Sequence, residues 1–220
     1  MSLKVRVVTS LIIIFAALTY LFAWSPVFTV RTISTIGAPK DVSAAAIIAK
    51  SDISIGQKLS RIEPRSVERS LSELSWVSKA SVDRNWIEGA VTIEIVPRIA
   101  VGIYKGKAID KSGTLFELPG KSPEGLPVVS ASSPELGLEA ISLFTSLPVE
   151  LRLATVSVSA SNTNAISSWQ QQGSRKLKIT WGSSSDLDLK VTVLQALLEL
   201  PENKAIKRVD LSAPHAPIVK

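Results

Sequence analysis

The 220-residue chain has no cysteine and one histidine, His215. The first absence excludes disulfides, cysteine nucleophiles and thiolate metal sites. The second leaves a histidine-dependent triad with a single choice, close to the C-terminus between Pro214 and Pro217, where a rigid site is hard to build. Signatures of other chemistries are missing too. No G-x-S-x-G elbow and no S-x-x-K occurs, which removes two common serine-nucleophile arrangements. No G-x-x-x-x-G-K or G-x-G-x-x-G is present to hold phosphates or dinucleotides. Carboxylate pairs exist at Asp186 with Asp188 and at Glu199 with Glu202. They fall at the ends of a helical pattern and read as dipole partners or solvated charges. No catalytic residue, cofactor or metal site is indicated.

Charge is also modest. The formal net charge is +6, of which Lys4 and Arg6 supply two. No basic run and no aromatic–basic alternation occurs, so nucleic acid is not an expected partner. A mild excess of this kind suits a solvated surface near anionic lipid.

What the chain does have is one long uncharged run. Residues 7–24 read VVTSLIIIFAALTYLFAW, eighteen positions without a charge. As a helix they would extend roughly 27 Å, close to the thickness of a hydrocarbon core. Val7, Leu11, Ile14, Leu18, Leu21 and Trp24 mark its length, and Tyr20, Phe22 and Trp24 gather at one end, where amphipathic rings prefer the headgroup zone. Lys4 and Arg6 flank the other end, and the next charge is Arg31. The expectation is a cytoplasmic tail over 1–6, a transmembrane helix over 7–24 in a lipid bilayer, and everything else outside the cytoplasm. The run exceeds the usual length of a signal-peptide core, and its exit, Ala23-Trp24-Ser25-Pro26, is poor cleavage chemistry, so the anchor is expected to stay.

Beyond the anchor the pattern predicts a strand over 27–37 and a short helix capped by Asp41. Pro64 suits the first turn of a second helix carrying Val67, Leu71 and Leu74 on one face. Alternation then predicts strands over 76–83 and 91–95, joined by a turn at 85–89 and closed by Pro97. The order β-α-α-β-β is a small α+β unit over 25–98. From 99 to 220 short apolar strands are separated by glycine and proline. Helices are expected over 134–147 and along Leu187, Val191, Leu194 and Leu198. A hairpin is expected around Gly173, and a strand over 206–211. Trp76, Trp86, Trp169 and Trp181 lie in or beside strands, where burial is the default.

These residues resemble the FtsQ/DivIB family of bacterial cell-division proteins over about 30–220. The matching positions begin with Phe28, Val30, Gly37, Gly56 and Leu59. Trp76-Val77 is similar to the family's P-W-V with Ser75 replacing its proline. Ala80, Val82, Arg84 and Trp86 follow A-x-V-x-R-x-W, with Ile87 where proline is usual. Ile93, Ile95, Pro97 and Arg98 lie near I-x-V-x-E-R-x-P, with the prolines and the acid displaced. Ile109-Asp110, Gly113 and Phe116 continue the likeness, followed by Leu126-Pro127-Val128, Gly173, Trp181-Gly182, Lys190, Val209-Asp210-Leu211 and Pro214.

The resemblance implies an α+β protein with a transmembrane helix, a POTRA domain and a mixed, sheet-rich β-domain. It implies a non-enzymatic scaffold at the division septum of the bacterial cell membrane. Implied partners are FtsK, the FtsB/DivIC-like and FtsL-like coiled-coil membrane proteins, and through them the FtsW–FtsI synthase of septal peptidoglycan. The same resemblance places partner binding in the C-terminal stretch: Val209, Asp210, Leu211, Pro214, His215, Ala216, Ile218 and Val219. A short strand pattern there offers a sheet edge that a partner strand could extend. Two other readings stay open on the residues alone. One is a membrane-anchored hydrolase using serine with a desolvated lysine. The other is a POTRA-bearing secretion component, which the lack of following amphipathic barrel strands disfavours.

Overall fold

The computed structural model describes residues 3–23 and 26–220, so Trp24 lies outside the described residues. Helix α1, Leu3–Ala23, is continuous over 21 residues. Its side chains from 5 to 20 are all exposed, Val7, Leu11, Ile14 and Leu18 among them; Leu21 belongs to the helix backbone. Among the described residues no helix is long and apolar enough to cross a membrane. The uncharged run of the sequence covers 7–24, of which 7–23 lie in α1.

The chain divides into two compact units, Met1–Arg98 and Ile99–Lys220. In the first, a 3-10 turn, Pro26–Phe28, precedes β1 (Thr32–Ile36), α2 (Ala44–Ser51) and α3 (Pro64–Ser72). β2 (Val77–Asn85) and β3 (Ala90–Pro97) complete it. β1 runs parallel to β3 and β2 antiparallel to it, giving the order β1-β3-β2. Val91, Ile93 and Ile95 of the central strand are buried, as are Ile47, Leu59, Val67 and Leu71.

Three local details differ from the sequence expectation. The first strand starts only at Thr32, because Pro26–Phe28 turns and Thr29 makes an isolated bridge to Lys58. The cap of α2 is Ser43, whose hydroxyl accepts from the Ala46 N–H at 3.2 Å; Asp41 sits in the turn before it. Trp76 lies in the turn before β2, so its burial next to Val77 breaks no alternation, and the register shift between Val77 and Lys79 leaves Ser78 and Lys79 both exposed between the buried Val77 and Ala80. Pro64 does occupy the first turn of α3, where its missing N–H costs nothing.

The second unit contains β4 (Gly102–Tyr104), β5 (Lys107–Ile109), β6 (Leu115–Phe116) and β7 (Val128–Ala131). α4 (Pro134–Ser146), α5 (Val149–Ala154), β8 (Thr155–Ala160), β9 (Ile166–Gln172) and β10 (Arg175–Gly182) follow. The chain ends with α6 (Leu187–Glu199), the 3-10 segment Pro201–Ala205, β11 (Arg208–Asp210) and β12 (Ile218–Val219). All nine strands form one mixed sheet, ordered β12-β11-β10-β9-β8-β7-β4-β5-β6. Its core gathers Tyr104, Ile141, Phe144, Val158, Ile179, Trp181, Leu194, Val209 and Leu211. α4 shows why it forms: Ser133 caps it, Pro134 opens it, and Ala140, Ile141, Leu143 and Phe144 are buried.

The expected hairpin is β9–β10, in which Gln170, Gln171 and Arg175 are strand residues and only Gly173 and Ser174 turn. One tryptophan departs from its expected burial. Trp76 and Trp181 are buried and Trp86 half-buried, but Trp169 is 40% exposed. Its strand is in register with β10, where Ile179 stands opposite Ser168 and Lys178 opposite Trp169. The inward-facing Leu177, Ile179 and Trp181 therefore turn Ser168 and Gln170 into the core and Trp169 outward.

Candidate partner-binding edge of the second unit

At one end of the nine-stranded sheet the chain doubles back on itself. β11 lies parallel to β10, with Lys178, Ile179 and Thr180 opposite Arg208, Val209 and Asp210. After Leu211 the backbone turns, with the Ala216 N–H donating to the Ala213 carbonyl at 3.0 Å. β12 then pairs antiparallel with β11, Val209 opposite Val219 and Asp210 opposite Ile218. Arg208 and Lys220 exchange two backbone bonds, at 2.9 and 3.0 Å. The C-terminal tail is thus the outermost strand of the sheet, not an addition beyond an open β11.

This places the expected site residues in three groups. Val209 and Leu211 are core side chains, 1% and 0% exposed. Asp210 is half-buried, and its Oδ1 accepts from the Ser212 N–H at 2.9 Å and hydroxyl at 2.7 Å, which fixes the turn. Pro214, His215 and Ala216 form the turn, with His215 and Ala216 exposed. Ile218 and Val219, on β12, are exposed.

The residues that sequence reasoning missed lie beside them. Side chains opposite one another on paired strands share a face. Lys178, Arg208 and Lys220 therefore form one rung of three cations across β10, β11 and β12. Thr180, Asp210 and Ile218 form the next rung, and the two rungs line a depression of about 210 Å³. One carboxylate against three cations leaves that face positive. Its sequence signal was the alternation Lys-x-Lys-x-Thr beside Arg-x-Asp, legible only once the two strands are known to be neighbours.

The base of the edge is held by Gly182 and Trp181. Gly182 has φ +72°, and a Cβ there would meet Ser212 Cα at 3.0 Å, so any other residue is both strained and crowded. The buried Trp181 indole N–H donates to the Ser168 hydroxyl at 2.9 Å. Lys190 on α6 is the buried lysine among the described residues, 1% exposed. Burial pulls its pKa below the ordinary lysine value, and nearby Asp186 opposes that. Its amine donates to the backbone carbonyl of Ser183 at 2.8 Å, while the Ser183 hydroxyl bonds to that of Ser185. A lysine committed to a carbonyl holds a loop; it does not activate a hydroxyl.

Family models match both units. Residues 28–98 match the POTRA domain of the FtsQ type, and residues 99–212 match the C-terminal domain of cell division protein FtsQ/DivIB. The chain belongs to the FtsQ/DivIB family. A relative from Streptomyces griseus, cell division protein FtsQ, is 29% identical over 183 residues, covering 76% of this chain and 85% of that protein. FtsQ/DivIB proteins are division proteins without enzymatic activity, which agrees with the use Lys190 makes of its amine. The FtsQ/DivIB match ends at residue 212, so the turn 213–217 and β12 lie beyond it.

Proposed function

We propose that this chain is a scaffold of the division machinery, held at the septal membrane by α1 with its N-terminus in the cytoplasm and its two units outside. The continuity of α1 through Ala23 supports the anchor, since it keeps the uncharged run helical over 7–23. So do the uncharged run 7–24 and its flanking Lys4 and Arg6. In this reading the β12 edge receives a strand from an FtsB/DivIC-like coiled-coil protein, which with an FtsL-like protein conveys the state of assembly to the FtsW–FtsI synthase. The POTRA unit faces earlier components such as FtsK.

The observation that carries the reading is β12 itself. A two-residue edge strand with exposed Ile218 and Val219, beside a three-cation rung, ends a large sheet. Such an edge offers unpaired backbone groups to an incoming strand, and its shortness and Pro217 limit indiscriminate pairing. The test is deletion of residues 217–220 in the full-length protein. The exported units should melt nearly as before, while retention of the FtsB/DivIC-like partner and fluorescence at mid-cell are lost. Undiminished retention by the shortened protein would move partner binding to another face.

A further inference from the structure

The tip of the β2–β3 hairpin combines features that a protein surface in water rarely shows together. Ile87 is 90% exposed, and it is held there: Asn85 Oδ1 accepts from the backbone N–H of both Ile87 and Glu88 at 3.1 Å. Beside it the rings of Trp86 and Phe28 meet edge to face at 6.0 Å, and Val27 is half exposed. The Arg84 guanidinium lies 5.2 Å from the Trp86 ring centroid, with its Nη1 bonded to the carbonyls of Leu59 and Ile62. Arg31 is exposed on the adjoining segment; Asp83 and Glu88 are the exposed acids nearby, Glu88 accepting from the Asn85 amide at 3.0 Å.

This tip is strapped to the first residues of the unit. The Gly89 carbonyl accepts from Arg31 and Thr32 at 2.7 and 3.3 Å, and a Cβ on Gly89 would sit 2.6 Å from the Thr29 carbonyl oxygen. Phe28 follows Trp24, the end of the uncharged run, by four residues, which extended chain can stretch to at most about 14 Å. Pro26–Phe28 is a 3-10 turn, with a rise of about 2 Å per residue, so the true reach is shorter. The hairpin tip therefore cannot leave the neighbourhood of wherever residue 24 emerges.

We propose that this tip is a lipid contact: Ile87 and Val27, with the flanking rings of Trp86 and Phe28, enter the headgroup layer, and Arg31 faces its phosphates. The inference rests on α1 being the membrane anchor. Its physical basis is the match between an apolar and aromatic tip flanked by an arginine and the composition that settles at membrane interfaces, combined with a tether too short to let the tip escape. The consequence is orientation. A POTRA unit touching the bilayer at one end of its sheet is fixed in tilt, so the opposite end is presented outward.

The chain has no cysteine, so single cysteines can report depth without removing any native residue elsewhere. Ile87→Cys, Lys79→Cys and Ile14→Cys variants of the full-length protein, each carrying an environment-sensitive fluorophore, are reconstituted in vesicles of phosphatidylethanolamine and phosphatidylglycerol containing spin-labelled lipid. Lys79 is exposed and lies six residues back from Asn85 along β2, about 20 Å away. The expected result is blue-shifted emission and quenching by headgroup-labelled lipid at position 87, neither at 79, and quenching by deep acyl-chain labels at 14. Deep quenching at 14 with position 87 no different from 79 overturns the tip contact and leaves the anchor standing. No quenching at any of the three positions overturns both.

Discussion

The amine of Lys190 and the carbonyl of Ser183, 2.8 Å apart, hold the loop between β10 and α6 in place from inside the domain. Its burial lowers the Lys190 pKa below its unfolded value. The unfolded chain therefore binds more protons in the window between that lowered pKa and about 10.4, the ordinary lysine value. Stability contributed by this residue rises as pH rises through that window, and the full penalty of burying the charge applies below it. Lys190→Met, which keeps the length and removes the charge, should lack this response. Denaturation midpoints from neutral to alkaline pH should show the native protein gaining relative to the variant. A constant gap between the two would mean the amine is solvated.

Gln170 is fully buried, and its Oε1 has no hydrogen-bond partner among the described residues, while its Nε2 reaches the Leu151 carbonyl only at 3.5 Å. Leaving a buried acceptor unsatisfied costs about 1–3 kcal/mol. Gln170→Met, close in shape, should leave the melting temperature unchanged or raise it. A clear fall would show that a buried water satisfies the oxygen.

The two tryptophans of the hairpin should behave oppositely. Trp181 is 0% exposed and bonded to Ser168, so Trp181→Ala should cost about 3–5 kcal/mol. Trp169 faces out beside Lys178, and Trp169→Ala should lie within about 0.5 kcal/mol of the native protein. Chemical denaturation of the two variants checks both values.

The difference between those tryptophans marks where the sequence stops being legible. Local pattern was enough for α3, where Pro64 opens the helix and Val67 and Leu71 lie one turn apart, and for β3, where Val91, Ile93 and Ile95 alternate into the core. The face of β9 was not readable from its own residues, because Ser168 and Gln170 look outward-facing and Trp169 inward-facing until the register with β10 is known. Asp41 and Ser43 are both good caps, and only the backbone chooses between them. The layout of the candidate edge was not readable for the same non-local reason. Val209 and Leu211 carry the apolar pattern and are core, whereas β12 is two residues between a proline and the terminus, too short for any periodicity. The cation rung is assembled from three strands, and no window of sequence contains it.

The geometry of β12 allows backbone and side-chain contributions to partner binding to be separated. Lys220 exchanges both of its backbone bonds with Arg208, so its N–H and C=O point inward to β11. In an extended strand the next residue points the other way, which turns the N–H and C=O of Val219 outward, to the open edge. Val219→Pro would remove that outward donor without taking a bond from the β11–β12 pair, and an edge position tolerates proline. Val219→Ala would keep the donor and remove most of the side chain. If a partner adds as a strand, the proline variant should bind about tenfold more weakly, the loss of roughly one net hydrogen bond at the upper end of its usual range, and the alanine variant nearly as tightly as the native chain. If the partner instead packs on the exposed valine, the alanine variant should lose as much as the proline one. Titration of the purified exported region of the partner against both variants, with melting curves to show that each remains folded, decides between them, and equal native-like binding by both would rule out β12 as the contact.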